Sequence, residues 1–130
     1  MYDLLITGGT IITCNNSFNI IEDGIIGVKD SKISLIGSKN KNKNKLLESK
    51  ECVELNNEII IPGLINAHCH AADSLFRGLV ENLSLEDWLQ EVWKAEKAIL
   101  NPETTLLGSY LGLAENLLAG VTTVVDMFWY

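Results

Sequence analysis

The sequence predicts an α/β protein in two parts, a small β-unit followed by the beginning of a parallel strand–helix–strand layer. Three observations carry this. Short β-branched runs separated by turn residues continue to about Ile61, the texture changes at Pro62 and Gly63, and two helical patterns then lie between apolar runs starting at Leu64 and Val121.

In the first part, the runs are Leu4 to Ile6, Thr10 to Thr13, Gly24 to Val28, Lys32 to Ile36 and Glu58 to Ile61. Gly8–Gly9, Asn15–Asn16, Asp30–Ser31 and Asn56–Asn57 stand between them as expected breaks, so the pattern reads as strands and hairpins. The polar stretch Ser38 to Lys50 alternates Lys and Asn and reads as a solvated hairpin loop, because it has too little apolar surface to order itself.

In the second part, Ser84 with Asp87 marks a helix start. Leu85, Trp88, Leu89, Val92, Trp93 and Ile99 follow at three- and four-residue steps. A second helix has Asn101 as its cap, Pro102 at its first position and Gly120 as its stop, with Leu106, Leu107, Tyr110, Leu111, Ala114, Leu117 and Leu118 on one broad face. Trp88 and Trp93 are expected in the core. Val121 to Met127 reads as a buried strand. Strand, helices, strand is the order of a unit whose crossover returns to a parallel neighbour, and such sheets need helical cover. Residues 62–130 hold about two such strands and end on the apolar Met127 to Tyr130, so the chain is expected to be truncated.

Composition narrows the function classes. With 130 residues, 47% of them hydrophobic, the chain can build a core. Ten Lys and Arg against 17 Asp and Glu give a net charge of -7, which disfavours nucleic acid and anionic membranes as partners. No apolar run approaches a membrane span, and Met1-Tyr2-Asp3 lacks the basic start of a secretory signal, so a cytoplasmic protein is expected. Cys14, Cys52 and Cys69 form no C-x-x-C pair and read as free thiols.

Chemistry is concentrated in His68-Cys69-His70. Residues two apart on a strand point to one side, so the imidazoles are expected to project together while Cys69 faces away. Two neutral imidazoles can hold a cation, but a closed zinc site takes about four ligands, so the others must come from elsewhere. An isolated His-x-His is more often a core residue beside an exposed one. Here the pair ends the first strand of a β/α repeat, where barrel enzymes place their sites.

The run Ile61-Pro62-Gly63-Leu64-Ile65-Asn66-Ala67-His68-Cys69-His70, followed by Ser74 to Leu79, resembles the opening signature of the amidohydrolase superfamily. It is most similar to the branch of S-adenosylhomocysteine and methylthioadenosine deaminases, guanine and cytosine deaminases and triazine hydrolases. Tyr2 to Ile6 with Gly8 to Ile11 resembles the family's first hairpin, and Gly120 to Met127 its second barrel strand.

The resemblance implies a composite β-sandwich half over residues 1–61 and the first two β/α units of a TIM-type barrel over residues 62–130. It implies a divalent metal held by His68 and His70, zinc first and iron as the alternative, with the acid and base residues expected beyond Tyr130. Such a metal makes water a nucleophile near neutral pH, and an acid/base group then protonates the departing nitrogen. Trp93-Lys94-Ala95-Glu96 is similar to a Trp-Pro-Ala-Glu motif whose Glu touches the ribose of nucleoside substrates, with Lys94 in place of the Pro; this makes Glu96 the substrate-binding candidate. Arg77 is expected as a buried ion pair or loop anchor, and Asp73 stays outside the site. The implied activity is deamination of a small heterocycle, adenosine-type, guanine or cytosine-like, by metal-activated water, in a full-length parent that is a homo-oligomer. Triazine dechlorination or other C–N hydrolysis is the alternative, and a small noncatalytic metal-binding module is the reading from another class.

Overall fold

A computed structural model describes residues 1–42 and 47–127, which fall into two compact units, Met1–Pro62 and Gly63–Tyr130. Residues 43–46 of the polar stretch and the apolar end at Phe128, Trp129 and Tyr130 lie outside the described residues.

The first unit is a five-stranded sheet centred on β1 (Tyr2–Ile12). β2 (Ile20–Glu22) and β3 (Gly24–Lys29) pair antiparallel with successive parts of β1, and β4 (Lys32–Ser38) pairs antiparallel with β3. β5 (Ser49–Ile60) runs parallel to β1. The β3–β4 connection is a two-residue turn with Asp30 and Ser31 both at positive φ, 50° and 59°, which matches strand twist in a tight hairpin. Leu5, Thr7, Ile11, Ile25 and Ile26 are buried on it.

Three expectations for this unit change. Gly8 and Gly9 do not end a strand: β1 continues through them at φ 84° and 64°, with a register shift against β5. A Cβ on Gly8 would lie 2.0 Å from the Leu55 carbonyl oxygen, so glycine here is a bulge and close-approach residue rather than a turn. Asn56–Asn57 likewise lies inside β5, whose polar first half carried no strand pattern. The Ser38–Lys50 stretch is not a hairpin loop either, because it leads from β4 to β5, which pairs with β1, and its Lys39–Asn42 segment is a 3-10 turn.

The second unit begins with β6 (Leu64–Cys69) and a 3-10 helix, Ala71–Phe76. α1 (Leu85–Ile99), α2 (Pro102–Leu118) and β7 (Val121–Asp126) follow, and β6 and β7 pair in parallel. Both helix starts are those the sequence marks. Ser84 Oγ accepts from Asp87 N, and Asn101 Oδ1 accepts from Glu103 N and Thr104 N while Thr104 Oγ1 accepts from Asn101 N.

Both helices carry exposed apolar residues in this chain. The leucine face of α2 is exposed, Leu118 at 89%, and the helix instead meets the 3-10 segment through Gly108 and Gly112. Trp88 and Trp93 are 37% and 51% exposed, whereas Val92 is the buried residue of α1. Apolar period identifies a helix and its stripe, but close backbone contact selects small residues, which leave no hydrophobic signal.

Candidate metal centre

β6 delivers the histidines. Its ladder with β7 pairs Asn66 with Val124 and Cys69 with Asp126, so three steps on β6 match two on β7. This bulge resets the alternation. Asn66 and Cys69 both reach Asn116 on α2, Asn66 Nδ2 donating to Asn116 Oδ1 at 2.9 Å, while His68 and His70 share another side.

The two rings converge. Nε2 of His70 lies 3.2 Å from Nε2 of His68, with ring centroids 4.9 Å apart and planes at 70°. A tetrahedral ion about 2.0–2.1 Å from each of two nitrogens holds them about 3.3–3.4 Å apart, so the observed spacing suits a shared cation with little rearrangement. Among the described residues no group of three or more His, Cys, Asp and Glu side chains is placed to hold a metal.

Each histidine is tied through its backbone. The His68 N–H donates to Asn66 Oδ1 at 3.3 Å, and Asn66 is held by Asn116, whose Nδ2 donates to Gly112 O at 2.7 Å. After His70, the Ala71 N–H donates to Asp126 Oδ1 at 2.9 Å and the Asp73 N–H to the His70 carbonyl at 3.1 Å. Cys69 is half-buried. Burial pushes its thiol pKa up and the Asp126 charge adds to this, while a hydrogen bond from Asn116 opposes it.

Glu96 lies on the covered stripe of α1, half-buried like Leu89, one turn beyond the buried Val92. Burial raises its pKa, as does the nearby Asp73 carboxylate, while the His70 ring lowers it. Asp73 is raised for the same first reason, with Asp126 adding to the shift and His70 and Glu96 opposing it. Asp73 Oδ1 is buried without a hydrogen-bond partner among the described residues. The fold therefore brings Glu96, 26 positions after His70 in the sequence, to the same neighbourhood as the pair, together with Asp73, which sequence reasoning left out.

Arg77 makes a bidentate ion pair with Glu115 of α2, Nη1 to Oε1 at 2.8 Å and Nη2 to Oε2. Its side chain is 63% exposed, so it anchors the loop after the 3-10 helix without being a buried pair. Asn66, Asn116 and Asp126 were missed as supporting residues. Asp126 carried a usable signal, an acidic residue at the C-terminal end of a parallel strand, whereas the Asn66–Asn116 contact depends on a bulge that leaves no mark in sequence.

A histidine pair at the C-terminal end of one parallel strand, with a carboxylate ending the next, is an arrangement of the β/α-repeat class, in which that end of the sheet commonly carries the site. Residues 59–129 match the amidohydrolase family model, and the chain belongs to that family. It is 35% identical over 127 residues to a 5-methylthioadenosine/S-adenosylhomocysteine deaminase of Syntrophus aciditrophicus, a match covering 97% of this chain and 28% of that protein. The structure superimposes on a zinc-bound adenosine deaminase from Xanthomonas campestris with a TM-score of 0.90 at 29% identity, over 99% of this chain and 29% of that one. A zinc complex of atrazine chlorohydrolase from Arthrobacter aurescens is similar over 95% of this chain and 28% of that one, with a TM-score of 0.80 at 26% identity. The chain thus spans less than a third of the length of these relatives. Among the described residues, no helix is long and apolar enough to cross a membrane.

Proposed function

We propose that this chain carries the first two metal ligands of a hydrolase that deaminates an amino-substituted heterocycle, adenosine-type first. The observation that carries the reading is the 3.2 Å approach of the His68 and His70 Nε2 atoms at the end of β6. The fit is chemical as well as geometric, since neutral imidazoles hold a divalent ion without cancelling its charge. Zinc is the ion of choice, supported by the zinc in two similar structures, with iron as the alternative. Bound there, the ion supplies Lewis acidity that makes water nucleophilic near neutral pH.

The residues of this chain bind and orient. Glu96 is the substrate contact: a carboxylate on the covered side of α1, near His70, can accept hydrogen bonds from a sugar diol. The acid and base for the departing nitrogen are assigned to none of residues 1–127. In this reading residues 62–130 open a β/α barrel and residues 1–61 form part of a β-sandwich. Dechlorination of a triazine is the second reading, supported by the likeness to atrazine chlorohydrolase.

Ammonia and chloride release from the full-length parent, measured over adenosine-type, guanine, cytosine and chlorotriazine substrates, tests this, the 130-residue chain alone being expected to show no turnover. Chelator-sensitive ammonia release from an adenosine-type substrate is expected. Chloride release alone would support the second reading, and metal binding without turnover on any substrate would leave a metal-binding module.

A further inference from the structure

The residue best placed to aim His70 is on another strand. The carbonyl of Cys69, in the peptide before His70, accepts the Met127 N–H at 2.8 Å, and the amide of Ala71, in the peptide after it, donates to Asp126 Oδ1 at 2.9 Å. Both peptide planes that flank the His70 Cα are therefore tied to the end of β7. His70 itself sits at φ -123°, ψ 76°, off the regular strand conformation it has just left. The ladder ends at Cys69 and Asp126, and the His70 carbonyl, which accepts the Asp73 N–H at 3.1 Å, is tied within the 3-10 segment itself; the bond from Ala71 to Asp126 is what anchors that peptide to β7.

A metal constellation works only when its ligands are held within about 0.5 Å and 10–20° of the required geometry. The ring of His70 hangs from a Cα held between two tethered peptides, and release of the downstream one frees rotation about its N–Cα bond, the torsion that swings Nε2 away from that of His68. The Ala71–Asp126 bond is part-buried and charge-assisted, which makes it the stronger of the two restraints. The carboxylate also has a specific requirement to meet: without it the Ala71 N–H loses its acceptor at the first residue of the 3-10 helix, where no intrahelical partner exists.

We propose that Asp126 is a positioning residue for the histidine pair, its carboxylate fixing the peptide after His70 so that the imidazole meets His68 across a shared cation. This rests on the metal reading given above. The role requires an acceptor at the Oδ1 position and does not require the negative charge. Asparagine therefore preserves it, alanine removes it, and glutamate displaces the acceptor by one methylene.

The test is a cobalt(II) titration of the full chain, read from the visible absorption band, for the wild type, Asp126→Ala, Asp126→Asn, Asp126→Glu and His68→Ala, each checked by circular dichroism. Asp126→Asn is expected to bind within about threefold of the wild type, and Asp126→Ala and Asp126→Glu about tenfold or more weakly with an altered band. His68→Ala is expected to abolish the band. Wild-type affinity and spectrum in a folded Asp126→Ala, with binding lost in His68→Ala, overturns the positioning role while leaving the histidine site standing. Unchanged binding in His68→Ala overturns the metal reading and this inference with it. If the alanine variant does not fold, the Asn and Glu variants decide, and equal affinity in those two overturns the proposal.

Discussion

Gly108 of α2 stands so close to Ala72 that a Cβ on it would lie 2.3 Å from the Ala72 carbonyl oxygen, and one turn later a Cβ on Gly112 would lie 2.8 Å from the Ala71 carbonyl oxygen. Helix α2 therefore rests on the backbone of the segment that follows His70. At Gly108 the nearest obstacle is backbone, which cannot rotate away as a side-chain tip can, whereas at Gly112 the Ser74 Oγ at 2.5 Å lies nearer still. Gly108→Ala is expected to destabilise the protein by about 1–3 kcal/mol despite alanine's higher helix propensity, because overpacking outweighs the ~1 kcal/mol that alanine gains in a free helix. Thermal unfolding measures this, and a more stable Gly108→Ala would show that the approach is looser than described.

The relay from α2 to His68 makes a second prediction. Asn116 satisfies Asn66, whose other amide atom holds the His68 N–H. Asn116→Leu fills similar volume but leaves the part-buried Asn66 amide unpaired, at a cost of about 1–3 kcal/mol. The double variant Asn66→Ala/Asn116→Leu should lose less than the sum of the single changes, since the two residues share one interaction. Additive losses in denaturant unfolding would count against the relay.

The Arg77–Glu115 pair predicts a pH response. The Arg77 hydrogen bond holds the Glu115 carboxyl below its ordinary value, followed by a smaller effect of the Arg77 charge. A depressed folded-state pKa means that the contribution is complete above the ordinary glutamate range and is lost as pH falls through the folded-state value. Wild type and Glu115→Gln should thus differ most at neutral pH and converge in acid, and added salt should shrink the difference because both partners are substantially exposed. A difference that grows on acidification would refute this assignment.

Glu96 gives the substrate prediction. A hydrogen bond to a charged group contributes about 1.5–3 kcal/mol, so Glu96→Ala should lower kcat/KM for a nucleoside substrate by roughly 10- to 100-fold. The same variant should leave turnover of a free base, which has no sugar, within about threefold. Equal losses on both substrates would assign Glu96 to the integrity of α1 or to the reacting centre.

How much of this was legible in sequence differs between backbone and side chains. Capping residues Ser84 and Asn101 fixed both helix starts because a cap is a local hydrogen bond between near neighbours. The convergence of His68 and His70 was readable from strand alternation even though a bulge lies beside it. What escaped were features decided by distant contacts. Gly8 and Gly9 look like a turn until Leu55 of β5 is placed against them, and the approach of α2 to the 3-10 segment through Gly108 and Gly112 leaves no hydrophobic mark. Likewise Asp126 and Asp73 enter the neighbourhood of His70 only once β7 and the 3-10 helix are in place.

The most direct test of the central claim is zinc-edge anomalous diffraction from crystals of the full chain grown with zinc. One anomalous peak is expected about 2.0–2.1 Å from Nε2 of both His68 and His70, lost in crystals of the His70→Ala variant. A peak bound to neither ring, or separate ions on the two imidazoles, would contradict it.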